Sequence, residues 1–170
     1  GETYKGISRK YHPNWVGWKR IDKHRNSSSN FSNGYGVLYS DSVLSGMVKS
    51  FYEWEFWKAP RFDQVDLIWE DLAEKLFDTG VNVGFGRVVK WLQSTLNLLN
   101  RNGKYYRDIS VDGGIGPQTL QTLRDAMEHN PKSRIMTVIA IHQGEHYKKI
   151  MERDKSQERF VGWFDRLTYK

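Results

Sequence analysis

The longest run of helically spaced apolar residues lies between Leu67 and Leu99. Ile68, Leu72 and Leu76, then Val88, Leu92 and Leu96, recur about one helical turn apart. Trp69, Ala73, Phe77, Val89 and Trp91 widen this stripe beyond the seam of a surface helix, which predicts helices covered by neighbours on several sides. Gly80, Gly84 and Gly86 interrupt the run. Glycine weakens a helix and removes side-chain volume, so two helices are expected to meet near residues 82–86 with a close backbone approach. Shorter amphipathic pieces flank the pair. Asp41 or Ser42 would N-cap a helix carrying Val43, Leu44, Met47, Val48, Phe51 and Trp54, and Pro60 would stop it. Asp66 would cap the first central helix. Pro117 suits a first helical position, opening a helix to about Glu128 that buries Leu120, Leu123 and Met127. Another helix spans roughly Ser133 to Arg153, with Ile135, Met136, Ile139 and Tyr147 on its apolar side.

The intervening segments lack this periodicity. Gly1 to Asp22 is aromatic and basic, and Pro13 and Gly17 argue against one continuous helix there. Lys23 to Gly36 is rich in Ser, Asn and Gly and reads as a surface loop, with a short low-complexity stretch at Ser27–Ser29. Asn100 to Asp112 is polar, with a turn at Asn102-Gly103 and short strands expected around Tyr105 and Ile109. The count favours an all-α or α-dominated fold with at most a small β-ribbon.

At 170 residues the chain suffices for one good core, or one core with a small appended module. Its 38% hydrophobic and 27% charged residues place it among folded rather than disordered chains. Two features change the picture. Aromatics reach 14%, including seven Trp, enough to furnish a carbohydrate cleft as well as a core. The net charge of +6 suits a polyanion, either nucleic acid or an anionic cell wall, but no Lys/Arg run is long enough for a nucleic-acid tail. Cysteine is absent, which excludes disulfides, thiolate-bound zinc and thiol catalysis. No apolar stretch approaches the ~20 residues of a membrane span.

Candidate chemistry is sparse. Asp78 and Asn82 stand four residues apart, on one helical face, where an amide can donate to and accept from a sugar's N-acetyl group or hydroxyls. The same pair would equally serve as a polar brace for the glycine junction. Tyr52, Trp54 and Trp57 cluster before Pro60, as a cleft wall or as core. His142-Gln143-Gly144-Glu145-His146 spells the inverted zinc-protease pattern H-x-x-E-H. It is short and needs a third ligand, which Glu152 or Glu158 would supply only by folding back. Chance on a charged helix face explains it better, so no metal or cofactor is expected.

Ordered motifs carry more weight. Gly1-x-Thr3-x-x-Gly6-Ile7-Ser8 is similar to the second half of G-G-x-T-x-x-G-I-[ST]. Phe77-Asp78-x-x-Val81-Asn82-x-Gly84, followed by Arg87 and Leu92-Gln93, resembles F-D-x-x-V-N-x-G…R…L-Q. Asp112-Gly113-x-x-Gly116-Pro117-x-Thr119 and Phe160-x-Gly162-Trp163-x-x-Arg166 fit a downstream module. Together they resemble the glycoside hydrolase family 108 muramidases of phage endolysin type with their companion peptidoglycan-binding domain; some members are called secretion activators. The resemblance covers nearly the whole chain and implies a lysozyme-like helical fold. Residues 1–86 would belong to the muramidase domain and 87–170 to the wall-binding domain.

The implied activity is hydrolysis of the peptidoglycan glycan strand between N-acetylmuramic acid and N-acetylglucosamine. The family's general acid is a glutamate in an E-G-G-Y motif, which must hold its proton near neutral pH to protonate the leaving oxygen. That motif precedes G-G-x-T-x-x-G-I and is expected upstream of Gly1, so these residues alone would be inactive. Glu2 falls at a variable position of the motif and does not replace it. By the same resemblance Thr3 would orient the attacking water or a sugar oxygen. Read from their own chemistry, Asp78, Asn82 and Trp57 would hold substrate, and the basic residues Lys5, Arg9, Lys10, Lys19 and Arg20 would face anionic wall polymer or form a solvated face. The implied partner is the glycan strand, with neither nucleic acid nor membrane insertion, by a monomer in the cell envelope, the periplasm or outside the cell. A noncatalytic wall-binding or secretion-accessory protein remains the alternative, and a metalloprotease a third reading.

Overall fold

The computed structural model describes residues 1–27 and 36–167, the side chain of Ser27 aside. The fold is α-dominated, 71% helical with one two-stranded ribbon. The chain divides into two compact units, Gly1–Ala59 and Pro60–Lys170.

The first unit opens with the ribbon. β1 (Thr3–Tyr4) pairs antiparallel with β2 (Ile7–Ser8), Thr3 opposite Ser8 and Tyr4 opposite Ile7. Lys5 and Gly6 both take positive φ, 43° and 83°, the pattern of a two-residue turn that suits strand twist. Side chains alternate across such a ribbon, so Tyr4 and Ile7 enter the core while Thr3 faces out. α1 (Gly17–Ser27) adds Trp18 and Ile21, α2 (Gly36–Tyr39) adds Leu38, and α3 (Ser42–Glu53) adds Leu44 and Val48. Asp41 caps α3 as expected, its carboxylate accepting from the Leu44 amide at 3.0 Å.

The loop expected from Lys23 does not begin there. α1 runs on through Ser27 because its last turn is anchored: His24 bonds Asp41 at 2.7 Å and Arg25 pairs with Glu2. The rest of that expected loop, including Ser28 and Ser29, lies outside the described residues up to position 35. Nor does α3 run straight to Pro60. It gives way at Trp54–Lys58 to one π-turn, closed by the Ala59 amide on the Trp54 carbonyl at 2.7 Å.

The second unit is built on the predicted pair, α5 (Glu70–Val83) and α6 (Phe85–Leu98). They meet at Gly84, whose φ of 93° few other residues adopt. Gly80 lies so close to the Phe85 ring that a methyl group there would overlap it, a contact of backbone with a side chain rather than the approach of two backbones expected at residues 82–86. Leu72, Ala73, Leu76, Val88, Leu92 and Leu96 are all fully buried. Asp66 is not the cap of α5. Phe62 and Val65 form an apolar turn of their own in α4 (Phe62–Asp66), so Asp66 ends that helix and extended Trp69 precedes α5. α7 (Pro117–His129) starts at its proline, and α8 (Lys132–Arg153) packs on α6. A 3₁₀ segment, Lys155–Leu167, returns against α8.

The strands expected near Tyr105 and Ile109 do not form, and the ribbon lies at residues 3–8 instead. Asn97 takes both backbone groups of Ile109, accepting from its amide and donating to its carbonyl, each at 2.9 Å. A ladder would have needed those same groups. Asn100 likewise accepts from the Gly103 amide at 3.0 Å and donates to Asp108.

Candidate functional site

In the first unit the sequence places Thr3 on an exposed ribbon face, and the turn behind it is pinned. Tyr52 donates its hydroxyl to the Lys5 carbonyl at 2.6 Å, and a Cβ on Gly6 would run into that hydroxyl. The ribbon's entry is held by charge. Glu2 accepts from Arg9 at 2.7 Å and from Arg25, and Arg9 also grips Asp22 with both terminal nitrogens. Burial pushes the Glu2 carboxyl up, but its two guanidinium partners outweigh that and leave its pKa below the usual value. A carboxylate held ionised in this way is unsuited to donating a proton. Asp22 is lowered chiefly by Arg9. Asp41 is lowered strongly by Arg20 despite its burial, with the Leu44 amide and His24 adding to the effect.

An open groove of about 620 Å³ runs beside α3, walled by Trp15, Met47, Ser50, Phe51 and Trp54. Trp15 is fixed edge-on against Trp18 and Phe51, with ring centroids 5.2 and 6.0 Å away. Trp54, at the junction of helix and π-turn, is 60% exposed. An open aromatic face beside a serine and Asn14 provides a stacking surface with nearby hydrogen-bonding groups. Thr3 and Trp57 are not among the groove's lining residues. Trp57 is half-buried within the π-turn.

Asp78 and Asn82 belong to the second unit and lie exposed on α5. They share a face, but the Asn82 amide donates to the Asp78 backbone carbonyl at 2.7 Å rather than to its carboxylate, and its oxygen accepts from Arg166. The V-N and G-W-x-x-R motifs therefore meet in space. So do L-Q and D-G-x-x-G-P-x-T. Gln93, 1% exposed, donates to Asp112 at 2.8 Å and to the Gly114 carbonyl at 2.9 Å, while its oxygen accepts from the Gly113 amide at 2.8 Å. Gly113, φ 86°, leaves no room for a side chain against the Gly86 carbonyl and Lys90. Sequence reasoning gave Gln93 no role. The available signal was a row of amides at helical spacing, Gln93 and Asn97 on the helix and Asn100 just past its end.

The H-x-x-E-H residues lie on α8, with His142 stacked on Trp91 at 6.4 Å and 8° between planes. His146 sits 5.6 Å from the same ring and 3.3 Å from Arg87, and Glu145 pairs with Lys149 at 3.7 Å. Among the described residues no three His, Asp or Glu side chains are grouped to hold a metal. No described helix is long and apolar enough to cross a membrane.

Comparison with known families gives two matches. Residues 1–84 match the model described as Glycosyl hydrolase 108, and residues 87–168 match the Predicted Peptidoglycan domain. No curated protein matches the chain. The two matches support a glycoside hydrolase with a peptidoglycan-related, cell-wall-associated role.

Proposed function

We propose that this chain belongs to a lysozyme-type peptidoglycan hydrolase that cuts between N-acetylmuramic acid and N-acetylglucosamine by general acid catalysis. The proton donor is a glutamate of an E-G-G-Y motif on residues preceding Gly1. The observation behind this reading is the state of four of the first unit's five carboxyl groups: Glu2, Asp22, Asp41 and Glu53 have basic partners and lowered pKa values, the opposite of what a general acid requires, and only Glu55 lies outside that set. The Trp15–Trp54 groove takes the face of a sugar ring, and Trp57, outside that groove, provides a separate aromatic contact for substrate. Thr3, outward on a pinned turn, orients the attacking water or a sugar oxygen through a hydroxyl that donates once and accepts twice. On the second unit, taken by itself, the exposed Asp78 carboxylate accepts from sugar hydroxyls, while Asn82, engaged by Arg166 and the Asp78 carbonyl, braces that turn of helix. Residues 87–170 retain the protein on the wall, and export places it in the envelope or outside the cell.

The decisive experiment compares wall clearing by the 170-residue chain with clearing by the same chain extended upstream through E-G-G-Y. The extended protein should clear walls and release new reducing ends at muramic acid, and Glu→Gln in the motif should abolish both. Equal clearing by the two chains would sink the assignment of the acid. An extended chain that pellets with walls without cutting them would favour the noncatalytic wall-binding protein, a reading the unsuited carboxylates also support.

A further inference from the structure

We propose that a cleft of about 450 Å³ formed by α5, α8 and the end of the 3₁₀ segment binds the free carboxylate of a short peptide with small apolar side chains, the chemistry of peptidoglycan's alanine-rich peptide stems. This deepens the wall-binding reading above and rests on it. Trp69, Met136, Ala140 and Leu167 provide apolar walls, and two lysines, Lys75 and Lys132, supply positive charge. Lys75 is the unusual member. It is 6% exposed, yet its ammonium donates only to the neutral Arg166 carbonyl, at 2.7 Å. No carboxylate of a described residue lies within ion-pair distance of it. An ammonium has three donors, so two remain for a ligand. A buried charge without a counter-ion is costly, and burial lowers the pKa of this amine even though Asp78 acts the other way. A ligand carboxylate would satisfy the charge.

Lys132 sits at the exposed rim with its amine 5.0 Å from the centre of the Trp69 ring, also without a described ion pair. Asp71 is the one lining carboxylate, and the Trp69 indole donates to it at 3.2 Å. Two lysines against one aspartate leave the cleft with a net positive charge. Apart from Asp71, its side-chain acceptors are the hydroxyls of Ser133 and Thr137, too few for the many hydroxyls of a sugar but compatible with methyl groups and one anion. The cleft draws Trp69 and Lys75 from the segment matching the hydrolase family and Lys132, Met136 and Ala140 from the segment matching the wall domain.

Calorimetry of the 170-residue chain with diacetyl-L-Lys-D-Ala-D-Ala, and with the same peptide as its C-terminal amide, tests this. The acid should bind at least tenfold tighter than the amide, as expected for a charge-assisted hydrogen bond. Lys75→Met should erase that preference and Lys132→Gln reduce it severalfold. Lys132 is exposed, so its variant decides the matter if Lys75→Met fails to fold. Equal binding of acid and amide, unchanged preference in both variants, or full displacement by millimolar acetate would overturn the proposal. Pelleting of the wild-type chain with whole walls is read in parallel. Pelleting without peptide preference removes this cleft alone, whereas no pelleting removes the wall-binding reading with it.

Discussion

Replacing Gln93 with leucine would keep the volume of a buried side chain and remove its amide. Two backbone partners lose their bonds: the Gly113 N–H, 2.8 Å away, and the Gly114 carbonyl, 2.9 Å away. A net intramolecular hydrogen bond is worth about 1 kcal/mol, and a buried group left unpaired costs about 1–3 kcal/mol. The Asp112 carboxylate is exposed and rehydrates, so its bond to Gln93 is left out of the sum. The leucine fills the site without a cavity and returns part of the loss as apolar burial. The expected net destabilisation is about 2–3 kcal/mol, or roughly 9–13 °C in the transition of the second unit. Urea unfolding followed by tryptophan fluorescence measures it, with Gln121→Leu, an exposed amide on α7, as the control within ±0.5 kcal/mol. A loss below about 0.5 kcal/mol for Gln93→Leu would show that the Gln93 hydrogen bonds do not hold the loop and that it stands on its own turn chemistry. If the loop serves wall binding, pelleting should weaken in the variant at temperatures where the rest of the unit remains folded.

Gly6→Ala should cost about 1–3 kcal/mol from the positive φ and the Tyr52 hydroxyl, and adding Tyr52→Phe should recover part of it; additive losses in a double-mutant cycle would refute the clash. Trp54→Ala should weaken binding of a soluble N-acetylglucosamine oligomer about tenfold while leaving the melting temperature within 2–3 °C, as suits a 60% exposed ring; unchanged affinity would remove the groove from the site. Asp41→Ala should destabilise the first unit by about 2–3 kcal/mol through loss of the α3 cap and the Arg20 and His24 bonds, measured by urea midpoint at neutral pH. His142 and His146 both have pKa values lowered chiefly by burial, with Lys149 acting on both, Arg87 and Arg153 on His146, and Glu145 partly opposing on His142. The unfolded chain therefore takes up these protons first, so their contribution to stability is full above about pH 6.5 and declines as pH falls through that value toward the folded pKa. A double His→Gln variant should flatten this decline in urea midpoints between pH 7.5 and 5.5.

The helices were legible because their signal is local. A four-residue apolar repeat, a proline at Pro117 and an aspartate at Asp41 each act through neighbours in sequence. Where the reading failed, a distant group intervened. Nothing near Ile109 indicates that Asn97 will occupy both its backbone groups. Nothing near Lys23 indicates that Asp41 and Glu2 will hold the end of α1. Asp66 misled because Phe62 and Val65 form a turn too short for periodicity to register. The candidate site was harder still. Thr3 entered through resemblance alone, and Lys75 was invisible because its position on the buried face of α5 emerges only when α8 and the 3₁₀ segment pack over it.

The motifs themselves separate fold from chemistry. Gln93 with Asp112 and Thr119, and Asn82 with Arg166, satisfy one another across 19 to 84 residues of chain. Polar groups engaged in this way hold loops and have little capacity left for a ligand. Their conjunction explains how short motifs, weak one at a time, become informative in order: each is half of a contact that fails without the other. The groups with capacity remaining lie outside those pairs, in the open ring of Trp54 and the under-satisfied ammonium of Lys75. A recognition surface needs that surplus, because binding exchanges water for ligand only where the protein has not already supplied the partner. Substitutions in the paired motifs should therefore first appear in stability, and substitutions at Trp54 and Lys132 first in affinity.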